Sequence, residues 1–282
     1  MLLYNNIAHA ILSLGRSMKT ITSRQNPLVR AFRELADAPD PGGRRLLLDG
    51  VHLVRDARDA AVRLKAVAIS ATHAGDGSEL AALARELERD RVEISSVSDA
   101  VMAAMSPVRT PSGIVAIAER EPLDADAICA QPGALVVVAA DVQDPGNLGA
   151  LLRAAEAGGA TGVIVCGRSA NPFSWKAVRG SMGSALRLPV ATIRTPEVTL
   201  ERVRAAGLQS VAAAPRVGVA PDEIDWRPGT AMFLGGEGTG LPASLIESCD
   251  ARVTIPMRPP VESLNVAVAA ALLVYEARRQ RT

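Results

Sequence analysis

Aromatic residues make up only 2% of this chain: two Trp, two Tyr and three Phe. A nucleic-acid surface built on stacking platforms needs several such rings, so this composition argues against one. Cysteine is scarcer still, at three residues. Cys129, Cys166 and Cys249 are far apart and odd in number, which leaves no disulfide framework and no metal-ligand spacing. A reducing, cytoplasmic compartment fits that usage. The histidines His9, His52 and His73 are isolated from one another and all lie in the first half, which argues against a metal hydrolase. No apolar run is long enough to span a bilayer, so no membrane partner is expected. Lysine is confined to Lys19, Lys65 and Lys176; the remaining basic residues are Arg, a bias that reads as genomic base composition before it reads as function. The formal net charge is +1, so any nucleic-acid surface has to come from local clustering.

What is present is ordinary core-forming material. The chain has 282 residues, 48% hydrophobic and 22% charged, enough for two globular domains. Residues 1–17 are weakly apolar and lack the basic start and cleavage site of a signal peptide. They read as a loose extension or an upstream mis-called start before Met18, the alternative being a short amphipathic helix. Residues 18–120 read as one α/β unit, with helices over 26–36, 50–57, 78–90 and 99–105 and strands over 45–49, 64–70, 92–96 and 113–119. Residues 121–133 read as a linker. From 134 to 282, strand and helix patterns alternate: strands at 134–140, 163–166, 188–191, 209–213, 231–234 and 251–255, and helices at 147–157, 174–181, 199–206, 242–248 and 265–279. Such alternation implies a mostly parallel sheet with helices on both faces.

Three runs in that second half carry chemistry. Gly146-Asn-Leu-Gly-Ala-Leu-Leu-Arg-Ala-Ala155 follows the strand 134–140, with Asn147 placed to cap the helix and Arg153 on the face of Gly149. A glycine-bearing helix N-terminus suits a phosphate. Phe233-Leu-Gly-Gly-Glu-Gly-Thr-Gly-Leu-Pro242 is a strand opening into a glycine-rich turn with one acid, Glu237. Ile255-Pro-Met257 is a strand end where Pro256 leaves backbone carbonyls free, and Ser263-Leu-Asn-Val-Ala-Val-Ala-Ala270 opens a small-residue helix that Ser263 or Asn265 can cap. Taken singly, each run has a bland reading: a helix arginine in an ion pair, a tight turn with a solvated acid, an N-cap. The dinucleotide fingerprint G-x-G-x-x-G is absent.

Together the three runs resemble the signature motifs of the SpoU (TrmH-type) RNA 2′-O-ribose methyltransferases of the knotted SPOUT superfamily. Ile21-Thr-Ser-Arg-Gln-Asn-Pro, Leu48-Asp-Gly-Val-His-Leu and Thr110-Pro-Ser-Gly-Ile-Val resemble the substrate-binding domain that precedes the catalytic domain in that family. The resemblance covers nearly everything from Met18 onward. It implies an N-terminal α/β RNA-binding domain, a C-terminal α/β trefoil-knot domain and homodimers formed through that catalytic domain. It also implies methyl transfer from S-adenosylmethionine, without a metal, to a ribose 2′-hydroxyl of structured RNA, ribosomal RNA favoured. The alternatives are a tRNA 2′-O-methyltransferase and a non-catalytic RNA-binding protein on the same fold. By resemblance, the catalytic residues are Asn147, Arg153, Glu237, Ser263 and Asn265, with Glu237 orienting either Arg153 or the donor. Leu234, Gly235, Gly238, Ile255, Met257 and Leu264 would hold the donor, and Lys176, Arg179 and Ser181 would contact RNA. A guanidinium is not deprotonated in proteins, so Arg153 is read as a clamp on the RNA phosphate that polarises the hydroxyl, not as a literal base.

Overall fold

Residues 19–73 and 78–282 are described by the computed structural model. The expected extension 1–17, with His9 and the proposed start Met18, lies outside the described residues. The chain forms two units: the described residues up to Glu121 together with Phe173–Trp175, and Pro122–Pro172 with Lys176–Thr282.

The first unit contains β1 (Lys19–Ile21), α1 (Pro27–Asp37), β2 (Arg45–Asp49), α2 (Val51–Asp59), β3 (Arg63–Ser70), α3 (Glu79–Arg89), β4 (Ile94–Val97), α4 (Asp99–Met105) and β5 (Ile114–Glu119). Its sheet runs β1-β4-β3-β5-β2, parallel except for β5, which is antiparallel to both neighbours. Asn26 starts α1 by accepting a hydrogen bond from the Leu28 amide at 2.8 Å, with Pro27 in the first helical position. Val29, Phe32 and Leu35 then share one helical face and are buried with Val97, Val101, Met102 and Met105. Sequence periodicity did not find β1, because three residues with only Ile21 buried are too short to show a period.

From Pro122 onward the elements are α5 (Ala125–Cys129), β6 (Leu135–Ala140), α6 (Pro145–Gly158), β7 (Gly162–Cys166), α7 (Trp175–Gly180), α8 (Ser184–Arg187), β8 (Val190–Ile193), α9 (Pro196–Ala205), β9 (Gln209–Ala213), β10 (Thr230–Gly235), α10 (Ala243–Ser248), β11 (Ala251–Val253) and α11 (Val266–Arg281). The sheet order is β11-β9-β10-β6-β7-β8, and every pair is parallel. All six residues of β6 are buried, as a central strand covered on both faces requires. The stretch 121–133, expected as a linker, carries α5. Asp124 caps this helix, and Ile128 and Cys129 are buried in one cluster with Val136, Leu200 and Val203. Burial pushes the Cys166 thiol up to about 12 and the Cys249 thiol up to about 11, so both are neutral core groups rather than nucleophiles.

α6 and α11 pack on each other, and Gly158 makes the approach possible: a Cβ there would fall 2.3 Å from Val274 Cγ1. The far end of α11 is pinned by Arg281. Its guanidinium donates to the carbonyls of Trp226 and Gly133, both at 2.6 Å, and of Pro228 at 2.5 Å. α6 is also tied to α8 by a two-point pair, Arg187 to Glu156 at 2.7 and 2.9 Å; the Arg187 hydrogen bond holds the Glu156 carboxyl below its ordinary value.

Candidate active site

In an open parallel sheet, ligands bind beyond the C-terminal strand ends, where the strand order reverses. From β6 the chain steps outward through β7 and β8, and then returns to place β9 and β10 on the other side of β6. The reversal therefore falls between β6 and β10. The first motif leaves β6 there and the second leaves β10, with Ala140 paired in register to Gly235.

The two loops touch through backbone. The Gly236 amide donates to the Ala140 carbonyl at 2.8 Å, and a Cβ on Gly236 would lie 1.9 Å from the Asp141 carbonyl oxygen. A Cβ on Gly235 would lie 2.3 Å from the backbone of Gly240. These two glycines serve close approach of protein to protein. Gly238, at φ +88°, is different: a Cβ there would meet nothing within 4 Å, so its backbone faces open space at the crest of the turn.

The expected cap of α6 needs correcting. Asp144, not Asn147, is the N-cap; its carboxylate accepts from the Asn147 amide at 2.7 Å, and Pro145 takes the first position. The helix N-terminus is thus closed by an acid rather than open to a phosphate. Gly149 likewise has a packing reason, since a Cβ there would strike the Ala177 carbonyl oxygen at 2.5 Å. Freed from capping, the Asn147 side chain reaches across the site. Its Nδ2 donates to Glu237 Oε1, and its Oδ1 accepts from Asn265 Nδ2 at 2.9 Å. Asn265 is the N-cap of α11, with Oδ1 accepting from the amides of Ala267 at 2.9 Å and Val268 at 3.4 Å. One hydrogen-bonded chain therefore joins all three motifs, Asn265 to Asn147 to Glu237, and fixes which way each amide points.

The remaining expected residues are placed as follows. Arg153 is exposed on α6, and among the described residues it makes no side-chain hydrogen bond or ion pair. Glu237 is exposed and bonds Asn147, not Arg153. Ser263 is exposed and caps nothing; Leu264 beside it is 37% exposed. Leu234 is buried, while Gly235, Ile255 and Met257 are half-buried. Lys176 and Arg179 are exposed on α7. Ser181, expected as an RNA contact, is instead fully buried, donating to the Val178 carbonyl and accepting from the Ala185 amide. Sequence reading passed over Asp141 and Asp144. The Asp-Pro pair at the head of the helix was the signal for Asp144. Among the described residues no group of His, Cys, Asp and Glu is placed to hold a metal, and no helix is long and apolar enough to cross a membrane.

The SpoU rRNA methylase family profile matches residues 134–275. A 23S rRNA (guanosine(2553)-2′-O)-methyltransferase of Bacillus subtilis is 29% identical over 93% of this chain and 100% of its own length. A 23S rRNA (uridine(2479)-2′-O)-methyltransferase of Streptomyces viridochromogenes is 36% identical over 72% of this chain and 73% of its own. An AdoMet-bound rRNA methyltransferase from Sinorhizobium meliloti superimposes with a TM-score of 0.81 at 31% identity, covering 93% of this chain and 98% of that one.

Proposed function

The chain belongs to the SpoU rRNA methylase family, and on that premise we propose that it is an S-adenosylmethionine-dependent 2′-O-methyltransferase acting on ribosomal RNA. The observation that carries the reading is the Asn265–Asn147–Glu237 chain, which brings the three motifs to one point at the strand-order reversal. A donor would lie against the open backbone at Gly238, with half-buried Ile255 and Met257 and part-exposed Leu264 as its apolar wall. Leu234 and Gly235, at the end of β10, would lie beneath it. When bound, S-adenosylmethionine supplies an electrophilic methyl group.

The chain's own residues then have distinct tasks. Arg153, exposed and without a protein partner among the described residues, grips the phosphate beside the target ribose. Glu237, held by Asn147, accepts the hydrogen bond of the 2′-hydroxyl as it becomes the nucleophile. Ser263 and Asn265 close the same side from the head of α11. Holding the oxygen in line is worth on the order of 7–11 kcal/mol in the best intramolecular cases. The N-terminal α/β region, residues 18–120 of the sequence, serves as the RNA-binding domain. Exposed Arg24 and Arg109 lie in two of its loops, and its few rings favour recognition of backbone and shape over base stacking. Two copies pair through α11, and the ribosomal substrate places the protein in the cytoplasm.

The test is methyl transfer from labelled S-adenosylmethionine to unmodified ribosomal RNA and to tRNA, with the product nucleoside identified by mass spectrometry. The expected result is a 2′-O-methyl nucleoside in ribosomal RNA, reduced at least about 100-fold by Arg153→Ala and by Asn265→Ala. Product in tRNA alone would favour the tRNA reading. Neither donor binding nor transfer would leave an RNA-binding protein without catalysis.

A further inference from the structure

We propose that Asp141 is a positioning residue for methyl transfer: it locks the loops after β6, β7 and β10 together and so sets Asn147 against Glu237. The proposal rests on the reading of the site given above. Asp141 follows directly on β6 and is left-handed at φ +58°, a conformation that disfavours residues other than Gly, Asn and Asp. That conformation turns the chain sharply off the strand and sends its carbonyl and its carboxylate to different neighbours.

The carboxylate goes to the loop after β7. Asp141 Oδ1 accepts from the Arg168 amide at 2.7 Å, and the Arg168 Nε lies 3.7 Å from the same oxygen. Gly167, at φ +68°, leaves the room this needs, since a Cβ on it would fall 2.5 Å from Oδ1. The Asp141 amide donates to the Cys166 carbonyl at 3.2 Å. The next residue repeats the tie: the Val142 amide donates to Ser169 Oγ at 3.0 Å, and the Ala170 amide donates to the Val142 carbonyl at 2.8 Å. The carbonyl goes the other way, onto Gly236 of the loop after β10, where a Cβ would lie 1.9 Å from it. Asp141 is thus where three strand ends meet. Asn147 is six residues further along, with Asp144 clamping the helix head between them. Glu237 is the residue immediately after Gly236. A shift at Asp141 therefore moves both partners of the Asn147–Glu237 bond relative to each other.

The left-handed turn alone does not call for a carboxylate, because Gly or Asn adopts it at least as readily. What the carboxylate adds is the hold on Gly167–Arg168. This separates a backbone role from a side-chain role by experiment. Asp141→Asn keeps the turn and an acceptor for the Arg168 amide, whereas Asp141→Gly keeps the turn and removes the acceptor. Gly167→Ala leaves the Asp141 side chain in place but pushes a methyl group onto its carboxylate and strains the left-handed backbone at 167.

The measurement is kcat and the donor Kd for these three variants, alone and combined with Asn147→Ala, on the RNA that wild type methylates. We expect Asp141→Asn to keep kcat within about threefold. Asp141→Gly and Gly167→Ala should lower kcat about 100-fold, the scale of a displacement of about 1 Å at a reacting centre, with donor Kd within about threefold. In the Asn147→Ala background, Asp141→Gly should cost less than about threefold more, because both changes act on one bond. Folded Asp141→Gly with near-wild-type kcat, or losses that multiply with those of Asn147→Ala, would overturn the proposal. If Asp141→Gly does not fold, Gly167→Ala carries the same two readouts. A failure of the enzymatic reading shows in wild type, which would then transfer no methyl group; a failure of the Asp141 proposal shows only in the variants.

Discussion

At Asn147 a single amide does two incompatible-looking jobs: its nitrogen donates to a carboxylate and its oxygen accepts from another amide. Alanine would remove both bonds. Aspartate would be worse, because it keeps the size but replaces the donor with an acceptor facing Glu237. Two carboxylates in that position repel each other. Asn147→Asp is therefore expected to lower kcat about tenfold more than Asn147→Ala. Single-turnover rates of both variants on the RNA that wild type methylates check this, and equal losses would contradict it. The residues of this site were legible in the sequence, since Asn, Glu and Asn each sit in a recognisable run. Their partners were not. Asn147 reads as a helix cap until Asp144 and Pro145 are seen to take that role, and only then is its side chain available to Glu237.

At the scale of elements, the site depends on how α11 lies against α6, because Asn265 heads one and Asn147 sits near the head of the other. Gly158 and Val274 set that distance, and Val274 is fully buried. Gly158→Ala should force the helices apart and cost about 1–3 kcal/mol, as overpacking a fixed contact does. Val274→Ala removes the atoms that clash, so the double variant should regain more stability than the two single effects predict by addition. Thermal unfolding of the three variants measures this, and strict additivity would show that Gly158 and Val274 do not form the contact. Alternation of apolar segments told where the elements are, because it depends on neighbours in the chain. It missed α5 and overran β11 for the opposite reason. α5 is too short for a period and is held by tertiary burial. β11 stops at Val253, where Thr254 turns its hydroxyl to the Ala214 carbonyl and the Gly218 amide. Neither partner lies nearby in sequence.

At the scale of the molecule, α11 has more apolar surface than one chain covers. Ala270, Leu273, Val274 and Ala277 are buried on its inner side. Val268, Leu272 and Tyr275, spaced i, i+4 and i+7, form an outer stripe that is 48%, 48% and 51% exposed. A helix apolar on both sides suits a place between two bodies, and in the homodimer proposed above the occupant is the same stripe of a second copy, related by a twofold axis. The stripe rises from the helix whose cap is Asn265, so pairing there would stiffen the head of α11 as well as hide its flank. Arg281 is bonded to carbonyls at the other end of the helix. Light scattering at micromolar concentration should therefore give the mass of two chains for wild type. Leu272→Glu places a charge in the centre of the contact and should give the mass of one chain with an unchanged far-ultraviolet circular dichroism spectrum. Because the monomer keeps the Asn265–Asn147 bond but loses the support on α11, its donor Kd should rise several-fold rather than disappear. A wild-type monomer at that concentration, or a Leu272→Glu dimer, would move the interface off this helix.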